Sequence, residues 1–379
     1  MMIHLSSFIF RIGLIKRILC KYTEGILVSA QAFCFTISKV VFASLSDHIP
    51  FAKLIFLGMI GVGLATVSAS MSTSFYELLV TVIINGCVQG AGWTPSTLLI
   101  KKWSPEIDFG SWYSLFGASN TISGMVLPYA AFLPWRIACW YAGASTLLWL
   151  LISFKFLRED FNSMENVNKD EEEVKLETGL KDVLTSTAVL HVAFAYAYPL
   201  SMRTVCETWF PVDLIERGIS PSGFQFFNEA GGLTGVLVSG MIVDFISRRV
   251  GVETSIRNCA GISTIFMMII ITLSIYTVSA APSVFGFLCG FSYQACINCW
   301  GLCISRIAPL NVQGSASALI SLVANIGSVL AGAPLSWLQG EEGIASLGLL
   351  FFGLTVLASF LYTLKLPIQM EATRKEKAE

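Results

Sequence analysis

Residues 26–70 read ILVSAQAFCFTISKVVFASLSDHIPFAKLIFLGMIGVGLATVSAS. Two apolar runs flank a short polar turn, and each approaches the roughly 20 residues that an α-helix needs to cross hydrocarbon. The first run carries a single formal charge, Lys39, before the turn SLSDHIPFAKL at 44–54. Working outward, runs of the same kind fall near 24–46, 53–72, 77–99, 110–133, 137–157, 183–210, 222–246, 258–279, 283–305, 314–338 and 343–365, eleven in all. The whole chain agrees: 54% of its 379 residues are apolar and 13% charged, about half the roughly 25% of a soluble chain. Mean hydropathy is +0.70. A water-soluble domain of this size has too little interior for so much apolar surface, whereas a bilayer accepts it. The expected fold class is all-α, a polytopic membrane protein with 11 clear spans.

Short polar turns separate the runs, with one exception. Residues 159–182, EDFNSMENVNKDEEEVKLETGLKD, are polar and acidic without apolar period, and so predict a solvated linker. The expected domains are an atypical N-terminal segment (1–21), an N-terminal helix bundle (22–158), the linker (159–182), a C-terminal six-helix bundle (183–366) and a tail (367–379). Alternate loops assigned to alternate sides collect sixteen Lys and Arg on one side and only Arg136 and Arg217 on the other. This bias places the linker and the C-terminus in the cytosol. Arg11, Lys16, Arg17 and Lys21 then fall on the disfavoured side, and the apolar stretch His4 to Phe10 is too short to cross. A helix missing before residue 22 is the expectation; restoring it gives six spans, a linker and six spans.

The halves share a motif. SLSDHIPFAKL (44–54) and GMIVDFISRRVG (240–251) each set an acid, Asp47 or Asp244, at a helix end expected to face the cytosol, followed by basic residues that include Arg248. Internal repeats about a central site are a common transporter architecture, and the motif points to gating rather than solute choice. Lys39 and Arg203 are the two cations inside spans. A charge at mid-bilayer is costly, about 2.5–3.5 kcal/mol on insertion scales, and so marks a functional position. Snorkelling of Lys39 toward Asp47, eight residues and about 12 Å away along a helix, is the structural alternative. Pro199 precedes Arg203 by four residues and predicts a bend. Two fixed cations, one in each half and facing a shared water-filled chamber, suit an anionic solute, and the planar guanidinium suits phosphate oxygens. Glu207 and Glu229 are acids that either hold Arg203 when the site is empty or form a plain stabilising pair with it.

Other features exclude function classes. Cys296, Cys299 and Cys303 share a helical face without a histidine nearby, so the ten cysteines read as packing residues and no metal or cofactor is expected. His4, His48 and His191 are far apart, no nucleophile–base set is present, and nothing matches GxxxxGK[ST], so the chain reads as no enzyme and no nucleic-acid binder. QGAGWTP (89–95), NEAGGLTG (228–235) and ANIGSVLAG (324–332) supply small residues for close helix packing. Asn120 and Asn325 are polar groups that line a cavity or bond a neighbouring helix.

Several strings carry a family resemblance: AQAFCFTISKVVFASLSD (30–47), INGCVQGAGWTPSTLLIKKWSPEIDFGSWYS (84–114), RTVCETWF (203–210), NEAGGLTGVLVSGMIVD (228–244) and GSASALISLVANIGSVLAGAPLS (314–336). From about residue 22 onward the chain resembles the organophosphate:phosphate antiporters of the major facilitator superfamily, and most of all their endoplasmic reticulum branch, which carries glucose 6-phosphate. The resemblance implies a major facilitator fold, two six-helix bundles with a rocker-switch motion, exchanging a sugar phosphate for inorganic phosphate. It implies Lys39 and Arg203 as substrate-binding residues, with Asn120 where some relatives carry a central histidine and Trp209 as the family's tryptophan. Glu229 matches a family acid, while Thr208, with Glu207 beside it, stands where the family often has an aspartate. The family's first helix and its basic residue have no counterpart here, which leaves a transport-inactive sensor or regulatory partner as the alternative. The tail ends RKEKAE, so that Lys375 and Lys377 resemble a retrieval signal of the endoplasmic reticulum membrane. The implied partners are sugar phosphate, inorganic phosphate and the bilayer, with functional coupling to a lumenal phosphatase.

Overall fold

The computed structural model describes residues 21–130, 133–157, 187–307 and 313–330. The N-terminal segment 1–20, the whole of the linker 159–182, the span expected at 343–365, and Lys375 and Lys377 lie outside the described residues. The described chain is helical from end to end. Its helices are α1 (Lys21–Leu45), α2 (Phe51–Met71), α3 (Phe75–Gln89), α4 (Thr94–Trp103), α5 (Phe109–Ala130), α6 (Trp135–Leu157), α7 (Thr187–Thr204), α8 (Phe210–Glu216), α9 (Ser222–Val250), α10 (Val252–Thr277), α11 (Pro282–Ile304) and α12 (Gln313–Leu330). In hydrocarbon every backbone N–H and C=O must be satisfied within its own segment, which is why apolar runs of this length become helices.

Among the described residues six helical segments are long and apolar enough to cross a membrane: Phe51–Met71, Phe75–Trp103, Trp135–Phe154, Ser222–Val250, Val252–Thr277 and Pro282–Ile304. The spans expected at 24–46, 110–133, 183–210 and 314–338 are helical over most of their described residues, but their polar content dilutes the apolar run. In α1 the apolar stretch shortens to Phe33–Leu45, itself interrupted by Lys39, and α5 carries Ser111, Ser114, Ser119, Asn120, Thr121 and Ser123. Leu57, Tyr76, Trp149, Leu151, Ile262 and Tyr276 are exposed, as expected of side chains that face lipid.

Local chemistry sets the breaks. Ser74 caps α3 in a reciprocal capping box, its Oγ accepting from Glu77 N while the Glu77 carboxylate accepts from Ser74 N. The run 77–99 bends through a 3₁₀ turn at Gly90–Gly92. Pro199 sits inside α7, and the chain then widens into a π-turn, Val205–Trp209, before α8. α9 ends at Gly251, whose φ of 89° is open to glycine.

The described helices gather into two compact units. Unit 1 holds α1 to α4 up to Lys102, α5 from Ser123 onward, α6 and the start of α12 as far as Ala318. Unit 2 holds α5 up to Ile122, α7 to α11 and α12 from Leu319. In unit 2 the best-enclosed helix is α11, with Tyr293, Trp300 and Leu302 buried. It lies directly against α9: a Cβ at Gly231 would strike the Phe287 carbonyl and one at Gly290 the Asn228 carbonyl. Small residues allow this backbone-to-backbone approach.

Candidate functional site

Lys39 in unit 1 and Arg203 in unit 2, the two cations expected inside spans, stand in different surroundings. In unit 1, Lys39 follows Ser38, whose Oγ donates to the Gly86 carbonyl at 2.8 Å and accepts from Gly90 N at 3.1 Å. A Cβ on Gly90 would run into Ser38 and the Lys39 backbone nitrogen, so the glycine lets the 3₁₀ turn close onto α1 and fixes where Lys39 sits on its helix. Lys39 is half-buried, and among the described residues no neighbouring charge acts on it. Among the described residues the polar side chains that unit 1 buries fully are neutral. Asn85 Nδ2 donates to Thr66 Oγ1 at 3.0 Å while its Oδ1 has no partner, and Gln89 Nε2 has none either.

In unit 2, Arg203 closes the last turn of α7, and its Nε donates to Glu207 Oε1 at 2.6 Å, one turn on within the π-turn. The two side chains stay partly open, at 19% and 31%. Glu229 from α9 and Tyr293 from α11 also act electrostatically on Arg203. Behind them the site is closed: Asn228 and Tyr293 are buried, and Asn228 Nδ2 donates to Tyr293 Oη at 2.9 Å. The glycines that press α9 onto α11 bring this pair together. Of the two acids considered for Arg203, Glu207 makes the bond and Glu229 stands nearby. A π-turn is uncommon and tends to occur at functional positions; here it carries Glu207. The backbone of Trp209 closes the π-turn, while its side chain lies outside the described residues. Asn120 is half-buried on α5 and is not among the groups acting on Arg203.

The motif acids do similar work in the two units. In unit 1 the Asp47 carboxylate caps α12, accepting from Gly314 N at 2.7 Å, Ser315 N at 2.8 Å and Ser315 Oγ at 2.6 Å. In unit 2 Asp244 caps α5, accepting from Gly110 N at 2.9 Å and Ser111 N at 2.7 Å. Each carboxylate meets the positive end of a helix whose second and third residues are Gly-Ser, and a Cβ on either glycine would collide with the aspartate. Burial pushes the Asp47 carboxyl up from its ordinary range, against the opposing pull of the bonds from Ser315 and Gly314. Arg248, beyond Asp244, pairs with Asp108 at 2.7 Å on the surface. Sequence reasoning named the acids but not their partners; the signal available was the Gly-Ser step at 110–111 and again at 314–315. It also passed over Tyr293 and Asn228, which nothing in a single apolar run distinguishes from packing residues.

The sequence profile of the Major Facilitator Superfamily matches residues 8–332. The chain belongs to the Major Facilitator Superfamily. It is accordingly a multi-pass membrane protein of a transporter family and not an enzyme. Within this superfamily it is similar to a probable hexose phosphate transport protein of Chlamydia trachomatis, 24% identical over 352 residues that cover 84% of this chain and 77% of that one. It is similar to the membrane sensor protein UhpC of Escherichia coli, 22% identical over 350 residues, 84% and 78% of the two chains. It is also similar to the glycerol-3-phosphate transporter of Bacillus subtilis, 24% identical over 344 residues, 80% and 74%. Among solved structures, that of the proton:xylose symporter XylE bound to 6-bromo-6-deoxy-D-glucose superposes with a TM-score of 0.71 at 14% identity, covering 98% of this chain and 97% of that one. This likeness concerns the fold and establishes it as that of the Major Facilitator Superfamily.

Proposed function

We propose that the protein carries a sugar phosphate, glucose 6-phosphate in its most specific form, in exchange for inorganic phosphate by alternating access in the endoplasmic reticulum membrane. The observation that carries this reading is Lys39: a cation in an apolar helix on which no charge among the described residues acts, the condition of a group whose counter-ion is a passing solute. The relatives named for hexose phosphate and glycerol 3-phosphate agree with a phosphorylated solute. Arg203 supplies a second positive charge, with a planar fork suited to phosphoryl oxygens. Glu207 holds it while no anion is bound and yields it when one arrives. The aspartate caps on α12 and α5 are the elements that make and break as access alternates. The compartment rests on the family resemblance and the basic tail at Lys375 and Lys377, and a lumenal phosphatase is the natural consumer of the delivered ester.

Counterflow tests this. Phosphate-loaded proteoliposomes containing the chain accumulate labelled glucose 6-phosphate, and vesicles without internal phosphate do not. Absence of uptake by a chain shown by cysteine labelling to be inserted overturns carriage. Binding of the label without uptake instead supports a sensor, a reading that similarity to a membrane sensor protein keeps open.

A further inference from the structure

Unit 2 ties the first half of α5 to α9 and α11 through one buried amide. Asn298 on α11 donates from Nδ2 to Ser114 Oγ on α5 at 2.8 Å and to Ser239 Oγ on α9 at 2.9 Å. The two protons of that nitrogen thus serve two different helices. Each serine passes its own proton to a carbonyl of its helix, Ser114 to Gly110 at 2.7 Å and Ser239 to Val236 at 2.9 Å. Asn298, Ser114 and Ser239 are all buried. One turn before Ser114, the backbone N–H groups of Gly110 and Ser111 donate to Asp244 on α9. A Cβ on Gly240 would strike Ser114 Oγ and the Gly110 carbonyl, so α9 bears directly on α5 beside both ties. Further along, Gly117 faces a methyl group of Val236, and the Thr121 methyl group faces Gly232.

The two bonds of Asn298 have unequal consequences. α9 and α11 are pressed together independently of it, backbone against backbone at Gly231 and Gly290, so its bond to Ser239 joins helices that are already joined. Its bond to Ser114 reaches the helix whose first turn rests on Asp244. Where water is excluded, a broken hydrogen bond leaves a bare donor and a bare acceptor, so such a tie is either made or lost. We propose that Asn298 is the latch on α5: its bond to Ser114 sets how often the start of α5 leaves α9 and α11 and releases Gly110 and Ser111 from Asp244. This deepens, and rests on, the reading of that cap as an element that makes and breaks as access alternates.

The test uses full-length protein in lipid nanodiscs and reads hydrogen exchange residue by residue. The Gly110 and Ser111 amides are the probe, because they lose protection when α5 leaves Asp244. Amides of α10 and α11 around the buried Trp300–Thr264 hydrogen bond are the reference. In the wild type the probe amides should exchange faster than the reference, the mark of an opening confined to α5. Ser114→Ala should speed them about tenfold and leave the reference unchanged, in line with one lost interhelical hydrogen bond. Ser239→Ala makes the same change on the other arm of the same amide, and should leave the probe within about twofold of the wild type. Asn298→Leu should match Ser114→Ala, and if that larger change prevents folding the two serine variants decide. Equal acceleration by both serine variants, or none by Ser114→Ala, overturns the latch. Probe amides no faster than the reference in the wild type would show that α5 never opens by itself, which sinks the moving-cap reading together with the latch.

Discussion

The two units solve one problem in opposite ways. Unit 1 holds Lys39 on a helix locked by Ser38 against Gly86 and Gly90, with no charge among the described residues acting on it. Unit 2 holds Arg203 on a helix that bends at Pro199 and widens into a π-turn, and answers it with Glu207 and Glu229. A paired cation contributes to the stability of the resting protein, while an unpaired one carries a desolvation cost and contributes only when a solute arrives. On the proposed reading Lys39 serves solute binding alone, while Arg203 also steadies the resting protein, and mutations can tell the two apart.

The largest expected effect is the loss of Arg203. Arg203→Ala leaves Glu207 partly buried, without its cation and beside a second acid. Breaking a buried pair from one side costs about 3–5 kcal/mol, and the partial exposure of this pair places the loss at the lower end of that range. Thermal unfolding in detergent should show the drop, and counterflow should vanish with it. Lys39→Gln should also abolish counterflow, by about a hundredfold or more if the charge supplies roughly 3 kcal/mol of anion binding. Its thermal stability should nevertheless match or exceed that of the wild type, because the change removes a desolvated charge that has no partner to strand. Equal destabilisation by the two variants would erase the distinction between the units. Combining Arg203→Ala with Glu207→Ala should restore part of the lost stability, since the second change removes the acid that the first left unpaired.

How far these differences were legible beforehand follows from the range over which each acts. Phe51–Met71 lies within two residues of the run expected at 53–72, because hydrophobic length alone determines a helix in lipid. Val252–Thr277 begins six residues before the apolar run at 258, because backbone hydrogen bonding carries a helix on through Glu253 and Arg257 where hydropathy stops. The choice of Glu207 over Glu229 was open in the sequence. An i,i+4 spacing favours the pair, but only the π-turn and the packing of α9 on α11 show which acid arrives. The capping partners were beyond reach, since Asp47 bonds a helix 267 residues away and Asp244 one 134 residues away. The carboxylates were visible as motif residues, and the helix ends they hold were not.

Those caps sharpen the contrast at a smaller scale. Asp47 accepts three hydrogen bonds and Asp244 two. Loss of an N-cap typically costs about 1 kcal/mol. Asp47→Ala and Asp244→Ala should therefore each lower thermal stability modestly, with Asp47→Ala the more damaging because Ser315 Oγ loses its acceptor as well. Gly314→Ala or Gly110→Ala should reproduce the defect of the matching aspartate, since a methyl group displaces the carboxylate from the helix end. A glycine variant as stable as the wild type would show that the close approach is dispensable.

The smallest effect is a matter of pH. Burial raises the Asp47 carboxyl above its unfolded value of about 3.9. For a folded value above the unfolded one, the group's contribution is fully present below the unfolded value and is lost as pH rises through the folded one. Asp47 should therefore give stability a shallow decline from about pH 4 upward, opposite in sign to the usual surface carboxylate. Asp47→Asn cannot titrate, and its amide oxygen still accepts one backbone N–H, so the variant should lose that slope and keep part of the cap. Thermal midpoints of the two proteins across this range measure the difference directly. A wild type whose stability rises with pH, with the rise abolished in Asp47→Asn, would mean that the three hydrogen bonds outweigh burial and that the cap is strongest when charged.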